Sequence, residues 1–123
     1  MNTRDLGEIG EEAAVNYLTE LGYTILDRNW QCGHHEIDIV ALDGEFLVIV
    51  EVKLRDYNSL ITPSDAVDRQ KQRNLISVAN GYLRYKHRTE EIRMDIVSVV
   101  HHNAEILSVE HIQNAFYPSL RSR

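Results

Sequence analysis

Asp38, Glu51 and Lys53 bring two carboxylates and an amine onto two neighbouring stretches of this 123-residue chain. Asp38 lies in HEIDIVAL, and Glu51 and Lys53 close EFLVIVEVK, both β-type runs, with Asp43-Gly44 between them. Asp-Gly readily takes the positive φ angles of a two-residue hairpin turn. Such a turn sets Leu42 opposite Glu45, Val40 opposite Leu47, Asp38 opposite Ile49 and Glu36 opposite Glu51. Side chains alternate along strands, so Glu36, Asp38 and Val40 share a face with Leu47, Ile49, Glu51 and Lys53. Asp38 and Glu51 then become diagonal neighbours, about 7–8 Å apart.

The run FLVIV beside Glu51 is apolar on both faces and reads as a central, buried strand. Carboxylates buried there without partners are costly. Two of them can instead hold Mg²⁺ or Mn²⁺, hard cations that take oxygen ligands and keep water and phosphate oxygens in their shell. The lysine adds a cation to orient the attacking water and offset charge developing on a phosphate. The plain alternative is a strand-end ion pair of Glu51 and Lys53 with Asp38 on the rim. Spacing alone leaves both open.

The elements that must position these groups are legible in outline. Leu6, Ile9, Ala13, Tyr17 and Leu21 recur every three or four residues, predicting a helix over 3–21 that Gly22 ends. YTILDRNW, residues 23–30, predicts a strand, followed by a polar loop around 31–34. Thr62-Pro63-Ser64-Asp65 has a hydroxyl cap, a proline at the first helical position and a carboxylate three residues after the cap, predicting a helix from there to about Tyr85. Residues 92–100 and 104–112 predict two more strands, joined through His101, His102 and Asn103. The order αβββαββ suggests one α/β domain spanning residues 1–123, its central mixed sheet flanked by helices. Its core covers about 4–117, with a short C-terminal tail. The crossover through the second helix favours parallel strands on either side of it.

The composition is that of an ordinary soluble protein, 43% hydrophobic and 26% charged. No apolar run is long enough for a bilayer and the N-terminus is polar and acidic, so a cytoplasmic protein with no membrane partner is expected. One cysteine, Cys32, precludes an internal disulfide. A net charge of −6 excludes a protein that coats DNA by bulk charge. The charge is segregated: residues 1–52 carry −9, residues 53–88 carry +5 and the remainder −2. An acidic half can hold cations while a basic segment meets phosphate, or the chain has solvated faces of unequal sign.

Ile37-Asp38 and Glu51-Val52-Lys53 resemble the two halves of the PD-(D/E)XK nuclease core. Gly7, Gly10, Glu11 and Ala14, Asn29, the runs EIDIVALDG and VEVKLR, Lys71 with Ala79 and Tyr82-Leu83, Arg93-Met94-Asp95 and Asn114-Ala115-Phe116 together resemble the YraN-type family of predicted endonucleases. The resemblance implies a restriction-endonuclease-like fold similar to Holliday junction resolvases, a DNA partner and a divalent-metal-dependent nuclease. By analogy with resolvases it also suggests a homodimer. Asp38 and Glu51 would then bind the metal, with the Val52 carbonyl as a further ligand, and Lys53 would position the water. Glu11, a surface residue on helix spacing alone, would support the metal. Gln70 and Lys71 match positions that form the substrate groove. Two residues depart from the pattern, His35 for the family's glycine and Ile37 for the superfamily's proline.

Other candidates have two readings each. Glu36 is a further metal or water ligand, or binds a cation at the sheet's edge. Lys71 shares a helix side with Val67 and Val78, where its amine is directed inward or its stem lies along apolar surface. Arg55, Arg69 and Arg73, with Arg84, Lys86 and Arg88, are placed to contact a DNA backbone or merely solvate the surface. His34-His35 and His101-His102 lack metal-ligand spacing and read as loop residues. Tyr82, Tyr85 and Trp30 are candidates to stack on bases, with Trp30 and Tyr82 more often core residues in such positions. Beside the nuclease stands a binding or partner-recruiting module of the same fold without useful catalysis. A small-nucleotide phosphohydrolase is disfavoured by the lack of a glycine-rich phosphate loop.

Overall fold

A computed structural model describes residues 3–58 and 68–116, with side chains from Asp5 onward. The elements are α1 (Thr3–Leu21), β1 (Thr24–Cys32), β2 (His35–Asp43), β3 (Phe46–Asp56), α2 (Arg69–Lys86), β4 (Glu91–His102) and β5 (Glu105–Phe116). The strands form one mixed sheet in the order β1-β2-β3-β4-β5. β3 and β4 are parallel, as a helical crossover favours, and the other neighbours are antiparallel. This is the expected α/β order αβββαββ. No described helix is long and apolar enough to cross a membrane.

Each helix covers one side of the sheet. Ala14 and Leu18 of α1 pack with Ile39, Ala41, Val48, Val50, Val97 and Val99. Leu75, Val78, Ala79 and Tyr82 of α2 pack with Val40, Leu47, Ile49, Met94 and Ile96. Strand residues thus alternate between two cores, which explains why β3 reads as apolar throughout.

The buried side of α1 departs from the predicted stripe. It runs through Gly10, Ala14 and Leu18, with Ala13 and Tyr17 on its flank and Leu21 exposed. The cause is close packing: a Cβ at Gly10 would lie 2.8 Å from Leu54 Cδ1, so small residues face the sheet and larger ones sit to the side. Gly22 does end this helix. At φ +105 it lets its own N–H reach Thr19 O and that of Tyr23 reach Leu18 O, the paired bonds of a Schellman motif.

The second helix starts later than predicted. Asp68, extended at φ −77 and ψ 175, caps α2 by accepting the Lys71 N–H on Oδ1 at 2.8 Å. The Thr62 cap and Val67 lie outside the described residues, but an unbroken helix from 62 to 85 is excluded at Asp68. The histidines also need correction. His35 is in β2 and His101 and His102 end β4, leaving only His34 in a turn. Asn103 and Ala104, both at positive φ, make the β4–β5 turn instead.

Candidate active site

The β2–β3 hairpin turns on Gly44-Glu45, pairing Asp43 with Phe46, Leu42 with Leu47 and Ile39 with Val50. The predicted Asp43-Gly44 turn is therefore one residue off, and the register two. Glycine alone takes the positive φ, +58, at the first turn position, the type II′ pattern. A turn centred on Asp43-Gly44 would have demanded positive φ of an aspartate or denied the glycine first place. Asp43 instead stays in the strand, where its Oδ2 accepts from Arg93 Nη1 at 2.7 Å.

A two-residue shift leaves every side chain on its predicted face, because the strand period is two. Val40, Leu47 and Ile49 do share the core under α2. Carried one step past the Ile39–Val50 pair, the new register sets Asp38 directly beside Glu51 rather than diagonal to it. Regular pairing ends there, and the Val52 N–H donates to Asp38 Oδ2 at 2.8 Å. The carboxylate thus sits where the strands separate.

Asp38 and Glu51 line one open cleft of about 490 Å³ together with His34, His35, Glu36, Asp68, Gln70, Lys71, Asn74 and Leu75. Glu51 is only 5% exposed. Its Oε1 meets both Lys71 Nζ, at 2.7 Å, and Lys53 Nζ, at 3.2 Å. Lys71 is the third residue of α2, so the Asp68 cap that starts the helix also places the amine. Among the described residues, Asp38 Oδ1 and Glu51 Oε2 have no hydrogen-bond or ion-pair partner.

The electrostatics are those of a held repulsion. Burial, and then the neighbouring Glu51 charge, push the Asp38 carboxyl up to about 7, against the Val52 N–H bond and Lys71. Burial pulls the Lys71 amine down, but the hydrogen bond and charge of Glu51 outweigh it and hold the amine above its usual value. Two carboxylates with open oxygens and a raised acid fit a Mg²⁺-type cation, which needs only one or two protein carboxylates and completes its shell with water and phosphate. A full protein cage is absent: no three His, Cys, Asp or Glu side chains gather to hold a metal among the described residues.

The remaining predicted residues divide. Glu36 and Gln70 line the cleft, and Gln70 bonds Asn74 and Arg73 along α2. Arg69 and Arg73 are exposed near its rim on the same helix. Arg55 pairs with Glu110 of β5 at 3.6 Å, away from the cleft lining. Glu11 does not line the cleft either; its Oε1 is held by Asn29 Nδ2 at 2.9 Å and Arg28 Nε at 3.2 Å. Asp68 and Asn74 went unnoticed in the sequence. An aspartate directly before R-Q-K is a helix-cap signal, but the stronger capping pattern at Thr62 masked it.

A second buried polar group lies on the α1 side. Asp95, 1% exposed, accepts from Arg93 Nε at 2.9 Å and the Asn114 N–H at 3.0 Å, and meets His111 Nε2 at 2.7 Å. Arg93 also donates to the Tyr23 hydroxyl. Burial pushes the Asp95 carboxyl up, but the bonds from His111, Arg93 and Asn114 prevail and hold it below its usual value. Both Asp95 oxygens are engaged, and the group ties Tyr23, just before β1, and Asp43 of β2 to β4 and β5.

The family model described as "Uncharacterised protein family UPF0102" matches residues 10–99. A UPF0102 protein of Chlorobium chlorochromatii is 45% identical over 121 residues, covering 94% of each chain. One from Parabacteroides distasonis is 39% identical over 117 residues, covering 95% of this chain and 96% of its own. Among solved structures, an fdxN element excision controlling factor protein from Anabaena variabilis aligns at 14% identity and a TM-score of 0.42, over 83% of this chain and 98% of that one. With a family match across most of its length, and relatives this similar from end to end, the chain belongs to UPF0102, the YraN-type family.

Proposed function

We propose that this protein is a divalent-metal-dependent DNA endonuclease, with Mg²⁺ or Mn²⁺ held by Asp38 and Glu51. The observation that carries this reading is the pairing of the buried Glu51 carboxylate with the half-buried Asp38 carboxylate, each with an open oxygen, in a cleft that also receives Lys71. The metal, when bound, polarises the phosphate and lowers the pKa of a bound water. The chain's own part is positional. The Val52 N–H fixes Asp38 at the end of the strand pairing, leaving Oδ1 for the cation. Lys53 and Lys71 hold Glu51 from one oxygen and present positive charge where a phosphodiester gains negative charge. Gln70, Arg69 and Arg73 extend this side along α2 toward the DNA backbone. Glu11 lies behind β1's Arg28 and Asn29, so its support of the metal acts through water or through those two residues.

The test is incubation of the purified protein with branched, single-stranded and supercoiled DNA, with and without Mn²⁺. Cleavage is expected only with metal and is abolished in Glu51→Gln. Cleavage that survives EDTA or that substitution overturns the assignment.

One observation favours a second reading, a binding module without useful catalysis. Glu51 is already paired with two lysines, so its own charge is offset without metal. Calorimetry separates the two: DNA binding without Mg²⁺ or Mn²⁺ binding selects the module.

A further inference from the structure

A second open cavity, of about 640 Å³, lies beside the C-terminal half of α2 and is lined by Trp30, Gln31, Cys32, Gly81, Arg84 and Tyr85. It adjoins the carboxylate cleft. Gln31 and Cys32 pair directly with Glu36 and His35 of that cleft, and α2 walls both. From Leu75 to Gly81 the helix advances about 9 Å, at its 1.5 Å rise per residue. One extended strand can occupy both cavities.

The aromatic pair in this cavity is half fixed and half free. Tyr82 supports Trp30 edge-on, with ring centroids 5.1 Å apart, and is itself anchored by its hydroxyl donating to Asp27 at 2.6 Å. Tyr85 is 71% exposed, and its ring is tilted 52° to the indole at a centroid distance of 6.1 Å. The two rings form an open wedge. Lys86 Nζ lies 5.7 Å from the Tyr85 ring centroid. The Arg84 side chain has no ion-pair or hydrogen-bond partner among the described residues, and the lining holds no carboxylate. The exposed Tyr85 ring, set against the half-buried Trp30 indole that packs on the core and beside an uncommitted guanidinium, complements a flat ring that carries a phosphate.

We propose that Trp30 and Tyr85 take an unpaired nucleobase of a nucleic-acid strand, its phosphate meeting Arg84, as the strand runs on to Asp38 and Glu51. The inference rests on the reading of a nucleic-acid ligand and adds to it a preference for unpaired bases. A duplex keeps its bases stacked on one another and cannot fill the wedge.

Trp30 is the only tryptophan in the chain, so its fluorescence reports on this cavity alone. The metal-free protein is titrated in EDTA with a single-stranded oligothymidylate, an abasic strand of equal length and a blunt duplex. The oligothymidylate is expected to quench Trp30 fluorescence, with Kd raised about tenfold in Tyr85→Ala and in Arg84→Ala, the scale of one base–aromatic stack. Tyr85 is exposed enough that its loss leaves the fold intact. Equal binding of the abasic strand or the duplex, or an unchanged Kd in Tyr85→Ala, overturns the proposal. EDTA keeps the outcomes separable: DNA cleavage by a protein that shows no quenching removes this subsite alone, and quenching by one that binds no metal removes the nuclease reading alone.

Discussion

Lys71 Nζ stands 2.7 Å from Glu51 Oε1, tying the first turn of α2 to the middle of the sheet. The amine is 43% exposed, so solvent screens much of the attraction and its removal costs little stability. On the nuclease reading, its loss at a phosphodiester transition state is larger. Lys71→Met is expected to melt within a few degrees of the parent and to cut DNA about 100-fold more slowly. Thermal melts and single-turnover cleavage with Mn²⁺ check both. A rate within threefold of the parent contradicts the role given to Lys71.

The Asp38 proton gives a pH signature. The folded protein holds it up to about pH 7, whereas an unfolded aspartate releases it near 4. This group's contribution to stability is therefore full below about pH 4 and lost as pH rises through about 7. Between pH 6 and 8 the metal-free protein should lose about 1 kcal/mol from this group. Asp38→Asn should flatten that slope. Urea unfolding in EDTA at the two pH values measures it, and identical slopes in parent and variant would show that Asp38 is not the group responsible.

On the proposed reading, a metal bound by Asp38 must displace the same proton. Mn²⁺ affinity should then fall as pH drops below 7, approaching tenfold per unit, with proton release on binding. Calorimetry in two buffers of different ionisation enthalpy reads the released proton directly. Binding without proton release at pH 6 speaks against Asp38 as a ligand.

Asp95 should behave in the opposite sense. Its carboxyl is held low, so its stabilisation is present above the ordinary aspartate pKa and lost as pH falls below it. Asp95→Ala leaves the Arg93 guanidinium buried with half its bonds and should cost about 3–5 kcal/mol. The expected result is a lower urea midpoint at pH 7 and a smaller loss of stability on acidification than the parent shows.

Asp68 combines a cap with a charge in the cleft. Asp68→Ala should cost about 1 kcal/mol through the lost cap. Asp68→Asn keeps the cap, removes the charge and should bind DNA more tightly than the parent. If both variants lose the same stability, the capping geometry is not what matters.

How much of this was legible in the sequence follows from how local each signal is. α1 and its glycine stop depend on neighbours within one or two turns and were placed to the residue. The faces of Asp38 and Glu51 survived a misplaced turn because a shift of two residues preserves strand parity. The start of α2 was misplaced because its cap, Asp68, is a single aspartate before R-Q-K, whereas the sequence offers a fuller capping pattern six residues earlier at Thr62. Ala104 at φ 67 is a turn position no propensity would select. The contacts of Asp95 with Tyr23 span 72 residues, and no window of sequence holds both.

β3 and β4 run parallel, so the chain must traverse residues 57–90 before the second edge of β3 can pair. The β1–β2–β3 meander needs only short turns, whereas the crossover carries the larger loop-closure entropy. Glu51 belongs to the meander and Lys71 to the crossover. Until the crossover closes, the two carboxylates have Lys53 as their nearest cation, and a nascent chain that has emerged only through β3 carries an incomplete site. Assembly of the candidate site is thereby coupled to closure of the β3–α2–β4 crossover, and Glu51 meets Lys71 only once the final topology is reached.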